Sequence, residues 1–462
     1  MQATELRNRV KQGEVVVFQT WDNGRIDLIL DANRKFFNNI YLMESERSTV
    51  SREVSPGVFE GVYMLRQSPE EGRREKTPIM PSYFIKKILP ELKNVLIVVK
   101  VPRDGYSLHF PDLPYKSMKN IAVAILTTSI EDIPQNWQTV ITRVENAYFA
   151  SDEEIRAILG SNDEYFRGLT ISELKRIATA QTKEERYKLA DDVRNTRLRI
   201  IGMTPIENVP HIELLALDSY FRRHVNRHLG KLGEKIIITG PPGSGKTFLL
   251  KSMAKTFFQN AYILDAGSIM ADSDLLYEVL LTLKYMTNVA VVINEFEHLA
   301  SAAPVFRTTF LNFLEERYPI WFAGSSVNIQ QLLTSTEGEI ESEMLRPGRI
   351  NEVLLMPPPF ETATKIQIVM DIAKESKIRL DVADVRRLAL VSPLLYPSDY
   401  LKLIQRYKVE GVRCITQFRD IYNVEVRAES ILQTIDLLRA LGNTSEDLLS
   451  RVENYVLSAI AD

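Results

Sequence analysis

The stretch KIIITGPPGSGKTFLL, residues 235–250, decides the fold. Its first residues form an apolar run of the kind expected of a strand buried on both faces. GPPGSGKT follows at 240–247 and satisfies G-x-x-x-x-G-K-[ST], with an apparent helix after it. That strand–loop–helix setting is what gives the motif its meaning. Backbone N–H groups can close around phosphate oxygens only where no Cβ obstructs the turn, which is the reason for Gly240, Gly243 and Gly245. Pro241, Pro242, Ser244 and Phe248 complete the cradle. Lys246 is placed to put its charge on the β and γ phosphates, and the Thr247 hydroxyl to coordinate magnesium.

Two further strand ends belong beside this loop. The apolar run in VVINEFEHLA, 291–300, stops where a nucleotide hydrolase would place an aspartate to hold magnesium through water. Here Asn294 occupies that place, and its amide oxygen can still accept from a metal-bound water without supplying a charge. Glu295 stands next, where a carboxylate orients or deprotonates the attacking water. Glu297 and His298 are expected on the exposed end of the strand. The run PIWFAGSS, 319–326, is expected to end in a polar side chain that positions the water, either Ser326 or Asn328. In MLRPGRI, 344–350, Arg346 and Arg349 flank a Pro-Gly turn. They are expected to point away from their own nucleotide, as planar permanent cations directed at a neighbour's γ-phosphate.

Outward from these motifs, the chain reads as two α/β halves. EVVVFQ (14–19), NIYLME (39–44), NVLIVVK (94–100) and IAVAILTTS (121–129) are continuous apolar runs, separated by helix-like GRIDLILDANRKF and SYFIKKILPELK. The segment corresponding to the phosphate loop, VVVFQTWDNGRIDLIL, lacks both the paired glycines and the lysine, so this half is expected to be nucleotide-free. SPEEGRREKTP, 68–78, reads as a solvated surface insertion. Helices take over from 151, where Ser151 and Glu154 make a capping box. IGMTPIENVP, 201–210, reads as a linker. The second half restarts at 235, continues through AYILDAG (261–267), and gives way to a mostly helical tail from about 361.

The composition excludes several alternatives. Among 462 residues, Lys plus Arg number 57 against 60 Asp plus Glu, so there is no global attraction to nucleic acid or acidic membrane. A single cysteine, Cys414, excludes an intramolecular disulfide and a multi-thiolate metal site, and reads as a small packed side chain. Apolar runs fall well short of the ~20 residues a membrane span needs. A cytoplasmic or equivalent aqueous location is the expectation, and no leader is read at the N-terminus. The basic stretch YFRRHVNRHLGKLGEK, 220–235, is the best nucleic-acid candidate, but it lacks an interleaved aromatic platform.

These residues together resemble the AAA ATPases. GPPGSGKT is similar to the family's Walker A loop, VVINEFE to its Walker B strand, and MLRPGRINEVLLMPPPFETATKIQIV to its second region of homology running into the lid. A motif-less half preceding an intact one further resembles the AAA proteins of cyanobacteria and algal plastid genomes. The resemblance implies a degenerate AAA-like domain over 1–200, an ATPase large domain over 201–360, and a helical lid with C-terminal helices over 361–462. It implies ATP with magnesium at the loop, Glu295 as catalytic acid or base, and Arg346 and Arg349 acting in a homo-oligomeric ring, usually a hexamer. The departures are Asn294, the Ser326 or Asn328 sensor, and AGSIMADSD (266–274), which lacks the aromatic pore signature and offers only Ile269 and Met270 to grip a chain. The expected function is ATP-driven remodelling of a protein partner. The alternatives are a nucleotide-gated binding module and, less favoured, a nucleic-acid-linked ATPase.

Overall fold

The computed structural model describes residues 7–44, 49–67, 74–101, 112–113, 115–200, 202–269, 273–286, 288–301, 304–316, 318–332, 334–336, 339–341, 345–346 and 348–461. The chain divides into two compact units, Met1–Val193 and Arg194–Asp462. Of the sequence expectations, residues 68–73 of the charged insertion and Met270 of the pore-loop segment lie outside the described residues.

The first unit is built on strands β1 (Val15–Gln19), β2 (Asn39–Glu44), β3 (Thr49–Ser55) and β4 (Val58–Gly61), a hairpin of β5 (Tyr63–Gln67) and β6 (Arg74–Pro78), and strands β7 (Val95–Lys100), β8 (Ile121–Thr127) and β9 (Arg143–Asn146). Its large sheet runs β4-β3-β2-β7-β8-β1-β9. Pairings among β2, β7, β8, β1 and β9 are parallel. β3 and β4 add an antiparallel edge. Val15 to Phe18 and Val95 to Val99 are buried without interruption, because side chains from both faces enter cores. One core lies on each side of the sheet. Helix α1 (Gly24–Asn33) follows β1, and α2 (Asp152–Leu159), α3 (Ile171–Ala178) and α4 (Lys183–Ile200) build a separate helical core. Both α2 and α3 begin at capping boxes, Ser151 with Glu154 and Thr170 with Glu173.

The second unit has β10 (Thr204–Pro205), α5 (Ser219–Asn226), β11 (Lys235–Thr239), α6 (Lys246–Phe257), β12 (Asn260–Asp265), α7 (Ser273–Lys284), β13 (Val289–Asn294), α8 (Pro304–Glu315) and β14 (Ile320–Ser326). A small hairpin of β15 (Thr334–Thr336) and β16 (Glu339–Glu341) precedes β17 (Glu352–Leu355). Strand order is β10-β12-β13-β14-β11-β17, parallel except for β10. Numbering the parallel strands of each sheet by chain order gives 5-1-4-3-2 in both units. Helices α9 (Thr362–Glu375), α10 (Val382–Ala389), α11 (Pro397–Glu410) and α12 (Arg413–Ile421) enclose their own core, in which Cys414 is buried. The last helices, α13 (Val424–Leu441) and α14 (Glu446–Ala461), instead send Ile431, Ile435, Leu438, Leu449 and Val452 into the core of the large sheet. The loop between them reaches β17, where Val353 N donates to Asn443 O over 3.0 Å and Thr444 Oγ1 donates to Val353 O over 2.7 Å.

Three readings of the sequence are corrected. Residues 201–210 are not a free linker: Thr204 and Pro205 pair with β12, while Met203 and Ile206 are buried. SYFIKKILPELK is not one α-helix. A turn at Pro81–Tyr83 widens to π geometry over Phe84–Ile88 and tightens to a 3₁₀ turn at Leu89–Glu91, where Pro90 cannot donate to an α ladder. The charged insertion is not without regular structure, since its residues 74–78 form β6.

Candidate functional site

The glycine-rich loop leaves β11 at the point in the sheet where connections run to either side, the usual position of a ligand crevice in an open parallel sheet. Gly245 has φ +94° and stands immediately before α6. Gly243 has φ +75°, and a Cβ there would come within 2.2 Å of Ser398 Oγ. Ser398 lies in the first turn of α11, and its N–H donates to Gly243 O over 3.2 Å. The start of α11 therefore rests on the loop itself. Beside Pro241 and Pro242 a cleft of about 580 Å³ is lined by Lys402, Arg406, Tyr422 and Arg427.

Within the loop Gly240 turns back toward the sheet, its N–H donating to Ser326 O over 3.3 Å, and Ser244 is fully buried. Phe248 is 45% exposed, on the outer face of the first turn of α6. Lys246 is nearly buried, with Nζ donating to Gly240 O at 2.8 Å and Pro241 O at 2.9 Å. Burial pushes its ammonium down to about 8, against the opposing influence of Glu297.

Thr247, Asn294 and Ser325 meet in one polar cluster. Thr247 Oγ1 donates to Asn294 Oδ1 over 2.8 Å, Ser325 Oγ donates to the same oxygen over 2.9 Å, and the two hydroxyls are 3.2 Å apart. The end of β13 is thus joined to the loop through the residue pair expected to hold magnesium. Oxygen donors of this kind suit a hard dication that brings phosphate oxygens as further ligands. Among the described residues no group of three or more His, Cys, Asp or Glu could hold a metal by itself.

Glu295 follows in the left-handed region at φ +54°, an uncommon conformation for a residue bearing a Cβ. Its carboxylate is exposed, with Oε2 3.6 Å from His298 Nδ1. The reversal corrects one expectation, because Glu297 is not on an exposed strand end. It is 6% exposed, and its Oε1 accepts from Val327 N over 2.9 Å. Of the two sensor candidates, Ser326 is fully buried, and its hydroxyl has no hydrogen-bond partner among the described residues. Asn328 is exposed in the turn beyond β14, and its Oδ1 accepts from Gln330 N over 3.1 Å. Sequence reasoning missed Ser325. Adjacent side chains on a strand point to opposite faces, so choosing one of two consecutive serines requires the register.

The turn carrying the two arginines is fixed from several directions. Arg349 is 8% exposed and pairs with Glu315, its Nε donating to Oε1 over 2.9 Å. Lys235 Nζ donates to Glu316 O at 3.2 Å and Gly348 O at 3.3 Å, and also to Leu314 O. Asn443 Nδ2 donates to Leu345 O. Arg346 is exposed. Within the basic stretch at 220–235, Lys235 and Arg222 are used inside the fold, Arg222 donating to Ile212 O at 3.2 Å and to Leu215 O, while Arg223, Arg227 and Lys231 are exposed.

In the first unit, the turn after β1 is filled by the chain's own groups. Asp22 Oδ1 accepts from Gly24 N at 2.9 Å and Ser172 Oγ at 2.5 Å, while Asp22 Oδ2 accepts from Ser172 N at 3.1 Å. Ser172 is in the first turn of α3, as Ser398 is in the first turn of α11. Arg25 and Glu154 form an ion pair whose side chains are 1% and 0% exposed. Arg25 also donates to Asn8 Oδ1 over 3.2 Å and to Ala147 O over 3.2 Å.

A family model described as "ATPase family associated with various cellular activities (AAA)" matches residues 236–358. No curated protein matches the chain. Among solved structures, one titled "Structural Basis for Katanin Self-Assembly" is similar at 14% identity, covering 56% of this chain and 96% of that chain with a TM-score of 0.38. Among the described residues no helix is long and apolar enough to cross a membrane. With its 5-1-4-3-2 parallel sheet, its glycine-rich loop and the matching stretch 236–358, the second unit contains an AAA ATPase domain on a P-loop fold.

Proposed function

We propose that the protein binds and hydrolyses ATP and works as an oligomeric AAA remodeller of a protein partner. One observation carries this reading: Lys246, Thr247, Asn294 and Ser325 converge on the loop, with an exposed glutamate, Glu295, one residue beyond Asn294. The loop glycines clear space for phosphate oxygens, Lys246 moves its ammonium from the carbonyls of Gly240 and Pro241 to the β and γ phosphates, and Glu295 orients the attacking water. Thr247 and Asn294 are the residues that would hold magnesium, which when bound offsets the charge on the phosphates. Asn328, exposed where Ser326 is buried, is the better placed of the two water-positioning candidates.

The turn held by Lys235, Glu315 and Asn443 presents Arg346 outward as the finger toward a neighbouring subunit. Arg349 would have to exchange Glu315 for that neighbour's phosphate to act as a second finger. The family resemblance adds that the assembly would be a ring, usually hexameric. The domain reading is a degenerate AAA-like domain over 1–200, the large domain over 201–360, and lid plus C-terminal helices over 361–462. Shared strand order and the matching roles of Ser172 and Ser398 support descent of the first unit from a nucleotide-binding one, of the cyanobacterial and plastid type. A protein client in a cytoplasmic or stromal compartment fits the balanced charge, and the internal use of Arg222 and Lys235 weighs against nucleic acid.

The test is ATP turnover with magnesium at several protein concentrations, together with particle size. Assembly and specific activity are expected to rise together, and Arg346→Ala to flatten the rise in activity. Binding of ATP with no turnover at any concentration would leave the alternative, a nucleotide-gated binding module. That second reading draws on Asn294, a neutral residue already accepting two hydroxyls. Restoring the charge with Asn294→Asp is expected to lower the magnesium concentration that gives half-maximal turnover several-fold. An unchanged requirement in a magnesium titration would make the asparagine a structural substitution only.

A further inference from the structure

Glu297 is a buried carboxylate only half used. The left-handed turn at Glu295 sends that side chain out and returns the chain inward, so that Phe296 is fully buried and Glu297 nearly so. Phe296 packs so closely under β14 that a Cβ on Gly324 would lie 3.0 Å from its ring, which fixes the turn against the strand. From there Glu297 Oε1 receives the N–H of Val327, the residue joining the end of β14 to Asn328. Its Oε2 is buried and has no hydrogen-bond partner among the described residues. A bare carboxylate oxygen in the interior costs free energy that an apolar side chain would avoid.

We propose that Glu297 is a positioning residue for hydrolysis, tying the turn that carries Asn328 to the turn that carries Glu295, so that both reach one water from fixed places. The bond spans 30 residues of sequence and joins the two turns beside the Phe296–Gly324 contact. Both Glu295 and Asn328 are exposed, so neither is held by burial of its own side chain. A shift of about 1 Å between them is enough to cost on the order of 10²-fold in rate. The Glu297 carboxylate acts on the charge of Lys246, so it adjoins the phosphate end of the site.

This inference rests on the ATP-hydrolysing reading above, and its test separates the two. The full chain, Glu297→Gln and Glu297→Ala are compared for equilibrium binding of a fluorescent ATP analogue with magnesium, for kcat and KM of ATP turnover, and for hydrogen exchange of a peptide containing Val327. Glutamine keeps an acceptor for Val327 N and loses the charge, whereas alanine loses both. The expected result for alanine is a 10- to 100-fold fall in kcat with analogue affinity within about threefold of the unmodified protein, and faster exchange at Val327. Glutamine is expected to recover most of kcat and to exchange like the unmodified protein. A fully active alanine variant overturns the proposal, as does a glutamine variant as slow as alanine, which would assign the effect to charge. If the unmodified protein itself binds the analogue without turnover, the hydrolase reading falls first and the proposal with it.

Discussion

Glu295→Gln is expected to slow ATP turnover by about 10²- to 10⁴-fold while leaving ATP bound, the range associated with losing a positioned general base. The substitution is nearly isosteric, and the carboxylate it replaces is exposed, so no buried charge is left unpaired. What disappears is the negative oxygen that can draw a proton from water or hold it in line. The phosphate contacts proposed for Lys246 and the loop amides do not involve this side chain, so affinity for ATP is expected to stay within a few-fold. Stopped turnover with retained binding would also lengthen the life of any ATP-dependent assembly, which sizing in the presence of ATP would show. Comparable turnover in the variant and the unmodified protein would remove Glu295 from the chemistry.

Glu154→Ala is expected to destabilise the first unit by about 3–5 kcal/mol, because it strands the Arg25 guanidinium in a site where the side chain is 1% exposed. For a unit of this size the midpoint of thermal unfolding should fall by roughly 6–20 °C. The same residue closes the capping box of α2, so the loss includes a helix cap. Burial raises the pKa of the Glu154 carboxyl, but the Arg25 charge, the Ser151 amide, Asn8 and Arg7 outweigh it and hold the group below its ordinary range. Its contribution is therefore complete above the pH at which an unfolded glutamate ionises, and is lost as pH falls through the lower, folded value. Thermal scans across the acid range should show this dependence in the unmodified protein and its absence in the variant. A midpoint shift of less than a few degrees would show that the Arg25 site relaxes to admit water.

Most of the parallel strands could be read directly, because strands buried on both faces leave continuous apolar runs such as VLIVVK and VAVVIN. The antiparallel additions could not. TVSREVS is mostly polar, with the charged pair Arg52–Glu53 at its middle and Val54 about half exposed, so its pattern is that of an edge and not of a core. Thr204–Pro205 is too short and too proline-rich to register as a strand, and only its pairing with β12 defines it. At the site, residue type and spacing pointed to the loop, which the structure sets between β11 and α6, and to Glu295, which it leaves exposed beyond β13. Glu297 was misplaced because one left-handed residue shifts the phase of everything after it, and Ser325 because facing depends on a register that no single strand encodes. The two arginines were read as equivalent, yet long-range pairing with Glu315 separates Arg349 from the exposed Arg346.

An asparagine at the end of β13 also determines how the site responds to acid. An aspartate there would take up a proton at low pH, and its grip on a dication would weaken as it did so, whereas the amide of Asn294 does not titrate. The Thr247–Asn294–Ser325 cluster keeps the same charge and the same acceptor across the whole range in which the fold survives. On the alkaline side, burial brings the Lys246 ammonium to about 8, so above that pH the free loop loses the positive charge that meets phosphate. Phosphate binding at this loop is therefore expected to be insensitive to acid at the Asn294 end and limited by base at Lys246.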